Sequence, residues 1–361
     1  MANTFFKTFA ESDRTSSRTL LHESIPIAQQ MLSGTYAYSD STGYANVKSF
    51  SHGMLQSVYD YPYLSSSANH IFDMTWGFLS GNAEVTSAGE GSTVVNAIAT
   101  QHDKKRNMYA QMAQILNGFD INGKHLPFDF DGNFNSKDDP MGACTFISFS
   151  SLLVKDEIKK GSFTIQIGSH NTYATPHNTT ITLGDYGAED SYKVNSPAGE
   201  YGLLYTSPGA TSARGLVFYQ AGIVVLPITH NDAFGDLDNQ EWLPDGTKRI
   251  DVLKTGTIDQ FCKGLLNRIK NIQFNNTTEL NSTIYFCRAS HNEFNYSSNT
   301  TYVSGSKILV KSNRIDSPPR AYVTTVGLYS ADNELLAVAK LSEPLRKDPT
   351  NELTLRVRLD Y

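Results

Sequence analysis

The chain has 361 residues, 39% hydrophobic and 18% charged, with 30 Lys+Arg against 36 Asp+Glu for a net charge of -6. That size allows about two domains or one large β-rich one. The acidic balance argues against a nucleic-acid partner held by counterion release, and 19 Tyr with 19 Phe exclude disorder as the main state. No apolar run reaches the roughly 18 residues of a membrane-spanning helix, so no membrane partner is expected. The opening stretch, MANTFFKTFAESDR, has no apolar segment of the kind a secretory leader carries.

In chain order, the first legible feature is an aromatic loop, YDYPY at 59–63. A helix is predicted over 93–117, where Val94, Val95, Ile98, Met108, Met112, Ile115 and Leu116 recur at helical spacing and Gly118 is placed to end it. Its middle, QHDKKRN at 101–107, reads as a solvated face or an interruption, with Lys104, Lys105 and Arg106 as a solvated polar patch. Runs rich in Val, Ile, Phe and Tyr then predict strands: ACTFISFSSLLV at 143–154, SFTIQI at 162–167, LVFYQAGIVVLPI at 216–228 and TIYFCR at 283–288. Between them, a second helix is predicted over 257–272 behind a capping Thr257. Ile258, Phe261, Cys262, Leu265, Leu266, Ile269 and Ile272 form its apolar stripe, with Lys263, Arg268 and Lys270 on the wet side.

The C-terminal third is the clearest. AYVTTVGLY at 321–329 and LLAVAKL at 335–341 flank the turn formers SADNE, which predicts a hairpin. In LTLRVRLDY at 353–361, Leu353, Leu355, Val357, Leu359 and Tyr361 alternate with Thr354, Arg356, Arg358 and Asp360, as in a strand with one buried face. The two Arg side chains on the polar face suit either solvent or a protein interface. Soft boundaries at 118–142 and 228–255 lead to two β-rich regions, 1–142 with the first helix and 143–361 with the second helix, the hairpin and the last strand. The expected fold is mainly β, a sandwich or related β-rich fold with two or three helices packed on its sheets, and α+β is the alternative.

A search for chemistry returns little. Phosphate-binding loops, dinucleotide fingerprints, HExxH and GxSxG are absent, and the nine His are scattered singly. Cys144, Cys262 and Cys287 make no CxxC spacing and lie in apolar stretches, as buried structural thiols do. The stretch DFDGNFNSKDD at 129–139 spaces Asp129, Asp131, Asn133 and Asn135 like the first ligands of a calcium loop. Phe134 and Pro140 stand where that pattern wants Gly and Glu, so a polar loop is expected instead. The six N-x-S/T sequons, at Asn178, Asn275, Asn276, Asn281, Asn295 and Asn299, read as a by-product of Asn- and Thr-rich loops. The aromatic loops YDYPY and FNYSSNTTY (294–302) suit core packing, a protein interface or a glycan contact. No catalytic residue, metal site or cofactor is expected, and the chain reads as a non-enzyme.

Several segments carry a resemblance. The hairpin VTTVGLYSADNELLAVAKLSEP resembles one found in structural proteins of tailed bacteriophages. The stretches SVYDYPYLSSSANHIFD, LLVKDEIKKGSFTIQIG, VNSPAGEYGLL and NNTTELNSTIYFCRASHNEFNYSS are similar to virion proteins of large contractile-tailed phages, including those of marine cyanobacteria. The resemblance implies a virion component, with the tail or baseplate as its first place and the capsid, neck or head decoration as others. Its partners would be other virion proteins and copies of itself. A host-surface glycan-binding or glycan-cleaving tail protein is the competing reading. No catalytic residue carries over, since the matching residues are strand and turn formers.

Overall fold

The computed structural model describes residues 6–28, 45–79, 96–134, 140–228, 234–296, 303–304, 307–308 and 320–361. Its elements begin with β1 (Arg14–Ala28), β2 (Val47–Ser49), β3 (Gln56–Tyr59), β4 (His70–Phe78), α1 (Asn96–Leu116), β5 (Ala143–Phe149), α2 (Ser151–Val154) and β6 (Glu157–Ile158). There follow β7 (Thr164–Gly168), β8 (Thr180–Gly184), α3 (Ala188–Ser191), β9 (Tyr201–Leu203), β10 (Leu216–Phe218), β11 (Ile223–Pro227), α4 (Arg249–Lys254) and α5 (Ile258–Arg268). The chain closes with β12 (Ile269–Ala289), β13 (Val303–Ser304), β14 (Lys307–Ile308), β15 (Ala321–Tyr329), β16 (Leu335–Lys347) and β17 (Leu353–Asp360). The fold is β-rich with a few helices, as expected.

Two compact units emerge, Leu21–Thr278 and the pair Met1–Leu20 with Glu279–Tyr361. They are drawn from different stretches than the regions 1–142 and 143–361 read from the sequence, and β1 and β12 contribute residues to both.

In the larger unit, seven antiparallel strands run in the order β2-β3-β4-β5-β11-β10-β9. Strand β5 pairs with β4 on one side and β11 on the other. Its alternate side chains feed two apolar clusters, Ala143, Ile147 and Phe149 in one and Cys144 and Phe146 in the other. Both faces are thereby taken out of water, which is why the run is apolar without alternation. A second sheet, in which β1, β6 and β7 pair with β12 and β8 pairs with β7, adds Ile165, Ile167, Ile272 and Phe274 to the first cluster, so the two sheets share one core.

Helices α1 and α5 pack on β4. Helix α5 starts with a reciprocal capping box, Thr257 Oγ1 accepting from the Gln260 amide at 3.1 Å and Gln260 Oε1 from the Thr257 amide at 2.9 Å. It ends at Arg268, short of the predicted 272, because the chain turns extended at Ile269 (ψ 114). Ile269 and Ile272 stay in the core, now from β12. Helix α1 is continuous through QHDKKRN and closes with the Gly118 amide (φ 81) donating back to the Ala113 carbonyl. Residues 93–95 lie outside the described ones.

Two predicted strands are broken in the fold. The run at 143–154 leaves the sheet after Phe149, where Ser150 Oγ accepts the Leu152 amide and caps α2. The run at 216–228 is the hairpin β10–β11, turned at Gly222 with φ 64.

In the smaller unit, β17 pairs with the second half of β12, Val357 opposite Tyr285. Strands β15 and β16 form the predicted hairpin, with Asn333 at φ 63 in its turn. Among the described residues, the only buried apolar side chains of this unit are Leu328 and Val357. The apolar face of β17 is half-buried rather than sealed, and Tyr361 is exposed.

Helix α1 comes close to β4 at Gly77, where an added Cβ would lie 2.3 Å from the Lys105 carbonyl oxygen and 2.6 Å from the Tyr109 nitrogen. Gly77→Ala is therefore expected to lower unfolding free energy by about 1–3 kcal/mol, read as a lower urea midpoint at unchanged slope. Gly209→Ala, in open surroundings, serves as the neutral control.

Candidate functional site

Helix α1 turns His102, Lys105, Tyr109 and Leu116 toward the core. Their spacing of three, four and seven puts them on one face, so Lys105 points inward and is fully buried. This corrects the reading of the patch at 104–106 for Lys105, whereas Lys104 and Arg106 stay partly exposed. Lys105 Nζ lies 4.5 Å from the centroid of the Trp76 ring and donates to the Leu253 carbonyl at 3.1 Å. His102 Nε2 donates to the Lys254 carbonyl at 2.9 Å.

Those carbonyls belong to the end of α4. A helix leaves its last four carbonyls without partners inside the helix. Here the Thr255 amide takes that of Asp251 and the Gly256 amide that of Val252, while Lys105 and His102 take the other two. The cation also meets the negative end of the helix dipole. Burial nevertheless pushes Lys105 down to about 7 from the usual 10.5. Strongly shifted buried lysines often mark catalytic sites, but this one has no surface open to a substrate, and its visible work is to close a helix.

Arg268 departs from the expected wet side in the same way and is fully buried. It donates to the carbonyls of Gly168, His170 and Glu241 at 2.6–3.0 Å and stacks on Trp242, 5.1 Å from the ring centroid. Burial pushes it down to about 9.

The arrangement nearest to a hydrolase triad joins Ser57, His70 and Asp73. Asp73 Oδ1 accepts from Ser57 Oγ at 2.5 Å and from His70 Nε2 at 2.9 Å. Nucleophilic catalysis needs the imidazole between hydroxyl and acid, to take the hydroxyl proton. Here the acid sits between the other two, so Ser57 gives its hydrogen to a carboxylate and is not activated. Ser57 and Asp73 are register partners, and the contact ties β3 to β4.

The stretch at 129–134 is folded as a turn, and 135–139 lie outside the described residues. Asp131 accepts from the Asn133 backbone at 3.0 Å and side-chain amide at 2.6 Å. The Gly132 carbonyl is taken by Tyr201 Oη at 2.7 Å and Asn195 Nδ2 at 3.1 Å. Phe134, at φ 55, is buried with its ring stacked on Tyr201. Among the described residues no three His, Cys, Asp or Glu side chains group to hold a metal.

Cys144 and Cys262 are free and buried, and burial raises both thiols, which keeps them protonated and inert. Cys287 is free and half-buried. In the YDYPY loop, Tyr61 and Tyr63 are exposed beside Leu64; most of FNYSSNTTY, from 297 onward, lies outside the described residues. On β17, Arg358 is held by Asp360 at 2.7 Å and Ser282 at 3.0 Å, while Arg356 points to solvent. No protein-family model, curated protein or solved structure matches the chain.

The Lys105 environment has a measurable sign. The unfolded chain keeps this proton up to about pH 10.5, whereas the folded chain releases it near 7, so the charging penalty is fully present below 7 and fades as pH rises. Unfolding free energy should climb by about 1 kcal/mol per pH unit between about pH 7 and 8.5, and Lys105→Met should remove that climb. Parallel profiles for parent and variant would show that the ammonium is hydrated in the folded protein.

Proposed function

We propose that this chain is a non-enzymatic structural subunit of a large contractile-tailed phage virion, placed in the tail or baseplate, working through interfaces with other virion proteins and with copies of itself. The observation that carries the reading is the smaller unit, whose strands are long but bury only Leu328 and Val357 among the apolar side chains described. Apolar surface left in water does not offset the entropy of ordering such strands, so they need cover from elsewhere in an assembly. The resemblance of the hairpin and of the segments at 57–73, 152–168, 194–204 and 275–298 to phage virion proteins supports the same reading. So does the chemistry of the polar groups, since the buried Lys105 and Arg268 and the partly exposed Asp73 are each engaged in holding the fold.

The test is made on purified particles. Quantitative mass spectrometry is expected to find the chain at a fixed copy number, and imaging of particles carrying a tagged chain to place it on the tail or baseplate. Particles that form normally without it, or a purified chain that cleaves host-surface polysaccharide, would overturn the proposal. A label on the head or neck would overturn its placement alone.

A further inference from the structure

Resting on the assembly reading above, we infer that the free edge of β15 is a self-association surface, on which a second copy of this chain adds its own β15 in antiparallel register.

Among the described residues, β15 and β16 pair with each other and with no third strand, which leaves both long edges of the ribbon open. An isolated two-stranded ribbon is marginal in water, and natural proteins guard open edges with Pro, charge or bulges. The two edges differ in this respect. Strand β16 carries Lys340, Glu343 and Arg346, and Pro344, which has no N–H to offer. It is also bulged, since Val323 pairs with Leu345 but Thr325 with Lys340, so the residues 341–344 face Thr324 alone. Strand β15, AYVTTVGLY, has nine residues with no charge and no Pro. Its one glycine is covered from within the ribbon, because the Tyr329 ring lies 2.9 Å from where a Gly327 Cβ would be. The ribbon is also apolar where it meets water, with Tyr322 59%, Leu336 66% and Val338 51% exposed.

Charge selects the occupant. A neutral strand sets no like charges opposite each other when it pairs with itself. The ends then fix the direction. Arg320 precedes β15 and Asp332 and Glu334 lie in the turn that follows it, all exposed. Antiparallel pairing brings the Arg320 end of one copy toward the acidic turn of the other, whereas parallel pairing sets Arg320 beside Arg320. Because the β16 edge is guarded, the association closes at a four-stranded, two-fold dimer and does not continue into a fibre.

Sedimentation velocity of the full chain over a wide concentration range tests this. The parent is expected to pass reversibly from monomer to dimer. Thr324→Lys and Thr325→Lys, both at exposed positions, are expected to weaken the dimer at least tenfold with an unchanged circular dichroism spectrum, and Ser342→Lys on the guarded strand to change it less than twofold. Hydrogen exchange on the unaltered chain gives a second reading that no variant can spoil, in which amide protection at 321–329 rises with chain concentration. A parent that stays monomeric, a dimer indifferent to the β15 lysines, or protection independent of concentration overturns the inference. A monomer that still enters particles leaves the assembly proposal standing, and a dimer missing from particles does the reverse.

Discussion

At Gly77 the backbone of α1 lies so near β4 that one methyl group would collide with the Lys105 carbonyl 2.3 Å away. Much of the larger unit depends on that approach. It brings Met108 into the core shared by the two sheets and Tyr109 into the second cluster. Tyr109 then donates to the Met141 carbonyl at 2.9 Å and accepts the Phe128 amide at 3.1 Å, which fixes the entry to β5. The same approach carries Lys105 over Trp76 and onto the end of α4. A side chain with no business in an apolar core is tolerated there because an aromatic face and a helix terminus both favour a cation.

The two units solve the burial problem differently. The larger one places a seven-stranded sheet between two apolar clusters and holds its buried Lys105 and Arg268 on main-chain oxygen. The smaller one keeps its order through local polar contacts. Lys347 is buried with Nζ shared among the His291 and Asp348 carbonyls and Asn295 Oδ1, at 2.7–3.3 Å. Asp348 is held down to about 2 by Thr350 and Arg346. These contacts fix the corner between β16 and β17 but contribute little apolar burial. Such a unit has a defined shape and an unfinished interior.

Much of this was legible in the residues. Period-2 alternation placed β17, the SADNE turn placed the β15–β16 hairpin, and the Thr257 cap placed the start of α5, because in each case one local rule decides the structure. The misreadings arose where tertiary context overrode a local rule. Charge alone assigns Lys105 and Arg268 to water, although the spacing of Lys105 with His102, Tyr109 and Leu116 puts it on the inner face. The runs at 143–154 and 216–228 hid a helix cap at Ser150 and a turn at Gly222, each a single residue within apolar sequence. Ser57 and Asp73 had no signal at all, since only strand register brings them together.

The closing of α4 has a consequence for how the chain reaches its native state. Two of its four terminal carbonyls are satisfied by residues 148 and 152 positions earlier in the sequence. Helix α1 is synthesised long before the groups its buried cation needs, and α4 cannot finish until α1 has docked. Contacts of such sequence separation slow the search for the native topology, and they favour late, all-or-none consolidation. During synthesis the amphipathic face of α1 must wait, exposed, for more than a hundred further residues to emerge. In the larger unit, α1 is therefore made early but cannot complete its buried contacts until α4 has emerged.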